Sequence, residues 1–209
     1  LEGFAPKMKA ARLMFANARL RLTMPEAYRV HKDVIEWNAQ FSEQRVPDQA
    51  LGVDAATAKV MRFVMHSWER VRFFNRFLAG TWAPRIQMDF MPSLACGAHF
   101  VILARRPAAS IDDYVAAGRA LQRFWLTVTD LGLFMQPEMT PLIFSRYARE
   151  GLAFSTEPGK QEEALGLSAQ FNQLIGAQNA RNSVYMGRVG AGKAATSRSQ
   201  RMPVEKLMR

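Results

Sequence analysis

The segment between Ser110 and Pro141 constrains the fold of this chain more than any other part of its sequence. Ser110 and Asp113 have the spacing of a capping box, which marks the start of a helix. Gly132 is a typical C-terminal stop. Between these ends, apolar or small residues recur at helical spacing: Ile111, Tyr114, Val115, Gly118, Leu121, Trp125, Val128 and Leu131. The pattern predicts one long amphipathic helix, followed by an extended loop that contains Pro137.

One flank of this predicted helix is made of small residues, namely Ala116, Ala117, Gly118 and Ala120. A glycine inside a helix costs about 1 kcal/mol relative to alanine. Because of that cost, we expect a packing reason for Gly118: another element should approach the helix closely there.

Helical patterns cover much of the remaining chain. They predict helices from Pro6 to Leu22, from Thr23 to Trp37, from Asp54 to Leu78, from Thr140 to Gly151 and from Gln161 to Ile175. Thr23 and Asp54 are the expected N-caps of the second and third of these helices. The third helix carries an apolar stripe that includes Phe63 and Phe77, and we expect this stripe to lie in the core.

Strand patterns are fewer. The continuous apolar run from Ala98 to Ala104 is the best candidate for a central strand, and Ser183 to Val189 predicts another. Ile86, Met88 and Phe90 alternate with polar residues, which predicts a short half-buried strand or extended segment. Together the patterns predict an α+β fold in one compact unit, with a helical portion or insertion over residues 1–92 and a mixed portion over residues 93–209.

Composition limits the class of protein. The chain has 209 residues and is 49% hydrophobic, which suits one globular domain or two small ones. No apolar run has the roughly 20 residues that a membrane span needs, and a single cysteine suits the reducing cytoplasm. The formal net charge of +10 favours anionic partners. Because the basic residues are spread over the helices, we expect solvated helix faces rather than a nucleic-acid or membrane surface.

A glycine-rich stretch from Gly187 to Lys193 has the spacing of a phosphate-binding loop and follows a predicted strand. The full motif continues with Ser or Thr and opens a helix. Here Ala194 follows the lysine, and residues 194–200 are a poor helix start. These departures argue against a nucleoside triphosphatase.

Cys96 and His99 have a Cys-x-x-His spacing. A zinc site usually needs four ligands, so we expect both residues in or beside the core of the strand and predict no metal site. Asp112 and Asp113 form a pair of carboxylates that helix capping and the helix dipole explain.

The helix core Gly118, Ala120, Gln122 and Leu126 is followed by Leu131-Gly132-Leu133 and Pro137. The C-terminal strand with its glycine-containing turn is followed by Arg201-Met202-Pro203-Val204. These two groups of residues resemble the FMN-dependent nitroreductase superfamily. The segment from Thr23 to Pro92 looks like the helical insertion of atypical members of that superfamily, which include members fused to ubiquitin-activating-like (ThiF-type) domains. The resemblance implies a mixed, mainly antiparallel sheet flanked by helices, with residues 93–209 as the C-terminal part of a nitroreductase-like domain.

The resemblance also implies an FMN site. In that family, backbone amides just after the proline meet the reactive edge of the flavin. The residues that match are Pro137, Glu138, Met139 and Thr140. The arginine before the later proline contacts the FMN phosphate, a role that falls to Arg201, and Arg198 is expected to assist. From the residues alone, the Glu138 side chain, Arg198 and Arg201 are as compatible with solvent-exposed positions as with contacts to FMN.

The activity that the resemblance implies is that of an FMN-dependent NAD(P)H oxidoreductase. A hydride passes from NAD(P)H to the flavin N5, and electrons then pass to a nitroaromatic, quinone or similar small-molecule acceptor. The cofactor carries this chemistry, so no catalytic residue of the protein is required. The alternative is a flavin-binding or flavin-storing protein, or a partner domain without turnover.

Family members hold the flavin at a homodimer interface or between two halves of one chain. The resemblance therefore implies a homodimer, or a pseudo-dimer with a missing N-terminal half. The N-terminal segments by which the family grips FMN are not found in this sequence, so we expect a chain that starts midway through a longer protein.

Overall fold

The computed structural model describes residues 1–208, and the chain folds into two compact units. The first unit combines Leu1–Arg21 with Asp89–Gly192, and the second combines Leu22–Met88 with the residues from Lys193 onward. Both helices and strands are present, so the predicted α+β class is confirmed. The division differs from the predicted boundary after residue 92, because the N-terminal helix belongs with the strands of the first unit.

The elements have the following bounds. The α-helices are α1 (Phe4–Leu22), α2 (Pro25–Val34), α3 (Ala55–Val64), α4 (Trp68–Phe77), α5 (Trp82–Pro84), α6 (Met91–Ala95), α7 (Ile111–Asp130), α8 (Thr140–Glu150), α9 (Lys160–Ile175), α10 (Ala177–Asn182) and α11 (Val204–Leu207). The strands are β1 (Ile35–Glu36), β2 (Phe41–Ser42), β3 (Val46–Pro47), β4 (Ala98–Leu103), β5 (Phe134–Pro137), β6 (Ser183–Gly190) and β7 (Arg198–Ser199). A 3-10 helix covers Asp48–Ala50, and a π-helix covers Arg85–Phe90.

The sheet of the first unit has three strands in the order β4, β6, β5, and both pairings are antiparallel. The strand β6 is therefore central, and β4, which the sequence favours as a central strand, lies at an edge. An apolar run indicates a strand without showing which strands pair with it. The register places His99 of β4 and Gln136 of β5 on opposite sides of Arg188 in β6. These three polar residues thus form one row across the sheet.

The long helix α7 begins and ends where the sequence predicts. Ser110 Oγ accepts a hydrogen bond from the Asp113 backbone N–H at 3.2 Å, and the Asp113 carboxylate accepts one from the Ser110 backbone N–H at 3.0 Å. Hydrogen bonds from the backbone of Ser110 and Ala109 hold the pKa of Asp113 well below its usual range. Gly132 follows with a φ of 68°, a left-handed conformation that glycine adopts without strain.

The apolar stripe of α7 is mostly exposed in this chain. Ile111 is 82% exposed and Leu131 is 67% exposed, whereas Val128 is buried. A Cβ atom added at Gly118 meets no neighbouring atom within 4 Å, so the described residues do not make the expected close approach. Helical periodicity shows that a face is apolar and not what covers it.

Helices α1 and α9 and the central strand β6 contribute the most buried apolar side chains of the first unit. These are Ala10, Ala11 and Leu20 of α1, Ala164 and Phe171 of α9 and Met186 of β6. Helix α8 packs along α9. The backbone N–H of Glu138 donates to the Met186 carbonyl at 2.9 Å, which ties the segment between β5 and α8 to this core.

In the second unit, two helix boundaries differ from the predictions. Met24 rather than Thr23 is the N-cap of α2, because Pro25 occupies the first turn. The helix ends at Val34 instead of Trp37, where Ile35 becomes extended and pairs in parallel with β3.

The predicted single helix from Asp54 to Leu78 is two helices, α3 and α4. Asp54 caps α3 as predicted, accepting hydrogen bonds from two backbone N–H groups. Ser67 interrupts the pattern by capping α4. The expected core position of the apolar stripe is largely wrong, since Phe63 is 56% exposed and Phe77 is 63% exposed, although Val71 is buried.

The strand predicted at Ile86 to Phe90 is also wrong, because Arg85–Phe90 form a π-helix that continues into α6. Alternation over five positions is too short to separate a strand from a helix. Gly187 and Gly190 lie in β6, and no helix begins between Lys193 and Val204 in the described chain. This arrangement lacks the helix that a phosphate-binding loop requires. Within residues 1–208, no helix is both long enough and apolar enough to span a bilayer.

Candidate functional site

The predicted flavin-edge residues lie at the junction between β5 and α8. Strand β5 ends at Pro137, Met139 is the N-cap of α8, and the helix starts at Thr140 with a proline in its first turn. The first backbone N–H groups of a helix have no partner inside that helix. Together with the helix dipole, they favour an electron-rich or negatively charged group.

Glu138 at this junction is buried, with 1% of its surface exposed, so its side chain faces the interior of the first unit. One carboxylate oxygen, Oε1, accepts hydrogen bonds from Ser93 Oγ and Arg188 Nη1, both at 3.1 Å. The other, Oε2, lies 2.6 Å from His99 Nδ1. We call Glu138, Ser93, His99, Arg188 and Gln136 the Glu138 cluster.

His99 is held by both ring nitrogens. Nε2 lies 2.9 Å from the Ser93 carbonyl oxygen, which can only accept, so Nε2 carries a hydrogen. Nδ1 and the Glu138 carboxylate share the second hydrogen bond of the ring.

Arg188 completes the cluster from the central strand. It is buried, and its Nη2 donates to Gln136 Oε1 at 2.5 Å while Nη1 binds the Glu138 carboxylate. The cluster therefore joins β4, β5, β6 and α6 through side chains. Because the Glu138 cluster is buried and its charged groups are bound to one another, it holds the backbone of the β5–α8 junction in place.

Arg188 and Ser93 were not predicted as site residues, because their partners are 45 to 95 residues distant in the chain. A signal for Arg188 was present, since it is the one charged residue in the strand β6. Nothing in the local sequence of Ser93 marks it.

Two further groups are affected by the cluster. Burial raises the pKa of the Cys96 thiol, and the negative charge of Glu138 raises it further, while Lys7 and Arg188 oppose the shift. Burial and Glu138 likewise raise the pKa of Tyr185. Cys96 is therefore a poor nucleophile at neutral pH, because the thiolate is the reactive form.

A cleft of about 620 Å³ is lined by Met139 and by other residues of the first unit only. Its apolar lining comes mainly from α8 and β6: Met139, Leu142, Ile143 and Val184. Its polar lining includes Tyr114, Arg146, Arg149, Glu150, Arg181 and Ser183. A volume in this range, with apolar walls and a few polar groups, is typical of small-molecule sites.

The two predicted phosphate ligands belong to the second unit. Arg198 lies in β7, and its backbone N–H donates to the Gln40 carbonyl at 3.1 Å. Arg201 lies just beyond β7, outside any helix or strand. Both residues are exposed, and neither guanidinium has a hydrogen-bonding partner among residues 1–208.

Within the described residues, no group of three or more His, Cys, Asp and Glu side chains is arranged to hold a metal ion. Comparison with known proteins finds no matching family model, no curated protein with significant similarity and no similar solved structure.

Proposed function

We propose that this protein is an FMN-dependent NAD(P)H oxidoreductase of nitroreductase type. The observation that carries the proposal is the β5–α8 junction. A strand end, Pro137 and a helix N-terminus follow a long helix whose Gly118, Ala120, Gln122 and Leu126 resemble that superfamily. The antiparallel sheet, with the C-terminal strand β6 between β4 and β5, agrees with the expected mainly antiparallel architecture.

The start of α8 fits the chemistry of a flavin. The backbone N–H groups of Met139 and Thr140 suit the electron-rich edge of the ring. For the FMN phosphate, Arg198 and Arg201 of the second unit stay the ligands that the resemblance predicts, and guanidinium suits a phosphate. The chemistry that FMN supplies when bound is transfer of a hydride from NAD(P)H to its N5 and of electrons to a nitroaromatic, quinone or similar acceptor. The part of this chain is to bind and orient, with Glu138 holding the junction in place.

The visible absorbance spectrum of the purified chain, with and without added FMN, tests this proposal. We expect a bound-flavin spectrum that bleaches when NADPH is added anaerobically. A chain that leaves the FMN spectrum unchanged would overturn the proposal.

A second candidate function is flavin binding or storage without turnover. A flavin spectrum that does not bleach with NADPH is the expected result for this alternative.

The Arg201→Ala variant tests the proposed phosphate contact. We expect weaker binding of FMN and unchanged binding of riboflavin, which lacks the phosphate. Equal FMN affinity in the variant would remove Arg201 from the site. Lys193→Ala, which removes the same charge from another part of the basic C-terminal segment, is the matched control.

A further inference from the structure

We propose that the cleft beside α8 binds a phosphomonoester through Arg149 and Arg181, with an apolar or aromatic part of the ligand against the cleft wall. This site lies wholly in the first unit, shares Met139 with the predicted flavin edge and uses neither of the predicted FMN phosphate ligands, Arg198 and Arg201. The inference goes beyond the proposed function, because it rests on Arg149 and Arg181, which have no part in that function.

The three arginines of the cleft are not equivalent. Arg146 is engaged, because its Nε donates to Glu150 at 2.8 Å and its Nη1 donates to the Tyr114 hydroxyl. Arg149 and Arg181 have no hydrogen bond or ion pair with any residue in the described part of the chain. Two guanidinium groups thus line one cleft with all their donors available.

The electrostatics of the cleft favour an anion. Three guanidinium groups face a single carboxylate, that of Glu150. Partial burial lowers the pKa of Arg149, and the positive charges of Arg181 and Arg146 lower it further, whereas Glu150 raises it. The Arg149 and Arg181 charges therefore repel each other. A doubly charged anion between them relieves this repulsion and accepts several charge-assisted hydrogen bonds.

The lining of the cleft argues against a bare inorganic anion as its natural ligand. About half of the lining residues are apolar: Met139, Leu142, Ile143, Val184, Pro107, Ala108 and Ala180. The Tyr114 ring adds an aromatic surface and is fixed by its hydrogen bond to the Ala108 carbonyl at 3.4 Å. The cleft volume of about 620 Å³ leaves room for a ring-sized group next to the phosphate. The ligand class is therefore a phosphomonoester on an apolar or aromatic body.

Titration calorimetry of the full chain with phenyl phosphate tests the site. Benzoate, which carries one charge, and phenol, which carries none, are the comparison probes. We expect phenyl phosphate to bind at least about tenfold more tightly than either, because charge-assisted hydrogen bonds to a dianion are lost with them. Absence of phenyl phosphate binding, or equal binding of benzoate, would overturn the inference.

The double variant Arg149→Gln/Arg181→Gln identifies the ligands. We expect it to weaken phenyl phosphate binding by at least about tenfold. The matched control is Arg119→Gln/Arg123→Gln, which removes the same charge from exposed positions of α7 outside the cleft, and its affinity should stay within about twofold. If both double variants lost the same amount of phenyl phosphate affinity, net charge alone would explain the loss and the proposed site would be wrong.

A charge-conserving variant tests whether the glutamine variant loses affinity through direct loss of the arginine contacts and not through altered folding. Arg149→Lys/Arg181→Lys keeps both charges and loses the bidentate geometry of guanidinium. An affinity between those of the wild type and the glutamine variant supports direct contact. Wild-type affinity in the lysine variant, together with wild-type affinity in the glutamine variant, contradicts it.

Discussion

The Glu138 cluster and the cleft beside α8 place arginines in the same compact unit and use them in opposite ways. In the cluster, Arg188 is buried and its guanidinium is bound to Glu138 and Gln136. In the cleft, Arg149 and Arg181 are open to solvent and have no partner within residues 1–208. A satisfied buried charge contributes to structure, whereas an unsatisfied accessible charge is available to a ligand. Variants of each region should therefore separate stability from binding.

The largest expected effect comes from breaking the cluster. Glu138→Ala removes the shared carboxylate and leaves Arg188 and His99 buried without it. We expect a loss of about 3–5 kcal/mol in the free energy of unfolding, measured by urea denaturation followed by circular dichroism. Glu150→Ala, an exposed carboxylate in α8, is the control and should change stability by less than about 0.5 kcal/mol. Similar losses of unfolding free energy in both variants would mean that the Glu138 cluster contributes no more to stability than an exposed carboxylate does.

A smaller effect is expected from the coupling between Glu138 and Arg188. The double variant Glu138→Leu/Arg188→Met replaces both charges by apolar side chains of similar size. Because an apolar pair does not leave a buried charge unpaired, we expect it to lose less stability than the two single variants summed, by about 1–3 kcal/mol. The four denaturation curves of the double-mutant cycle give this value. Simple additivity would contradict a direct interaction.

The reactivity of Cys96 reports on the cluster without unfolding it. Because burial and Glu138 raise the pKa of this thiol, less thiolate is present at any pH below that pKa. We expect slower reaction with a thiol reagent at pH 8 than for the same chain unfolded in guanidinium chloride. Glu138→Gln removes the negative charge, so the pKa should fall and the reaction should accelerate. An unchanged pH profile in that variant would show that burial alone sets the thiol pKa.

The smallest effect on stability is expected in the cleft. Arg149→Gln/Arg181→Gln removes two like charges that repel each other. We expect stability to stay within about 0.5 kcal/mol of the wild type, with any change in the stabilising direction. A loss of more than about 2 kcal/mol in urea denaturation would show that these arginines hold the fold and would remove the contrast with the cluster.

Local sequence signals were the most reliable predictors. The capping box of α7, the stop at Gly132, the Asp54 cap and the helices that became α8 and α9 all depend on residues within a few positions of one another. The helix break at Ser67 was missed, although serine is a common N-cap, because the apolar stripe continues across it.

The candidate site was predicted only in part. The β5–α8 junction was identified from Pro137 to Thr140, yet the role of Glu138 was not. The sequence did not show whether the Glu138 side chain lies in solvent or in the interior. In the structure the side chain is buried and binds Ser93 of α6, His99 of β4 and Arg188 of β6. No sequence motif marked Arg149 and Arg181 as a pair. They lie in different helices, α8 and α10, and only tertiary packing brings them to the same cleft.

By itself, the sequence determined closely where α1, α7, α8 and α9 and the strands β4 and β6 begin and end, because caps, glycine stops and periodicity act over one or two turns. Only the tertiary structure decided that β6 lies between β4 and β5, that His99, Arg188 and Gln136 share one row, and that much of the α7 and α4 stripes stays exposed. Strand order and burial depend on contacts between residues far apart in the chain. Apolar periodicity marks a surface that can be buried, and only the completed fold determines which of these surfaces is covered.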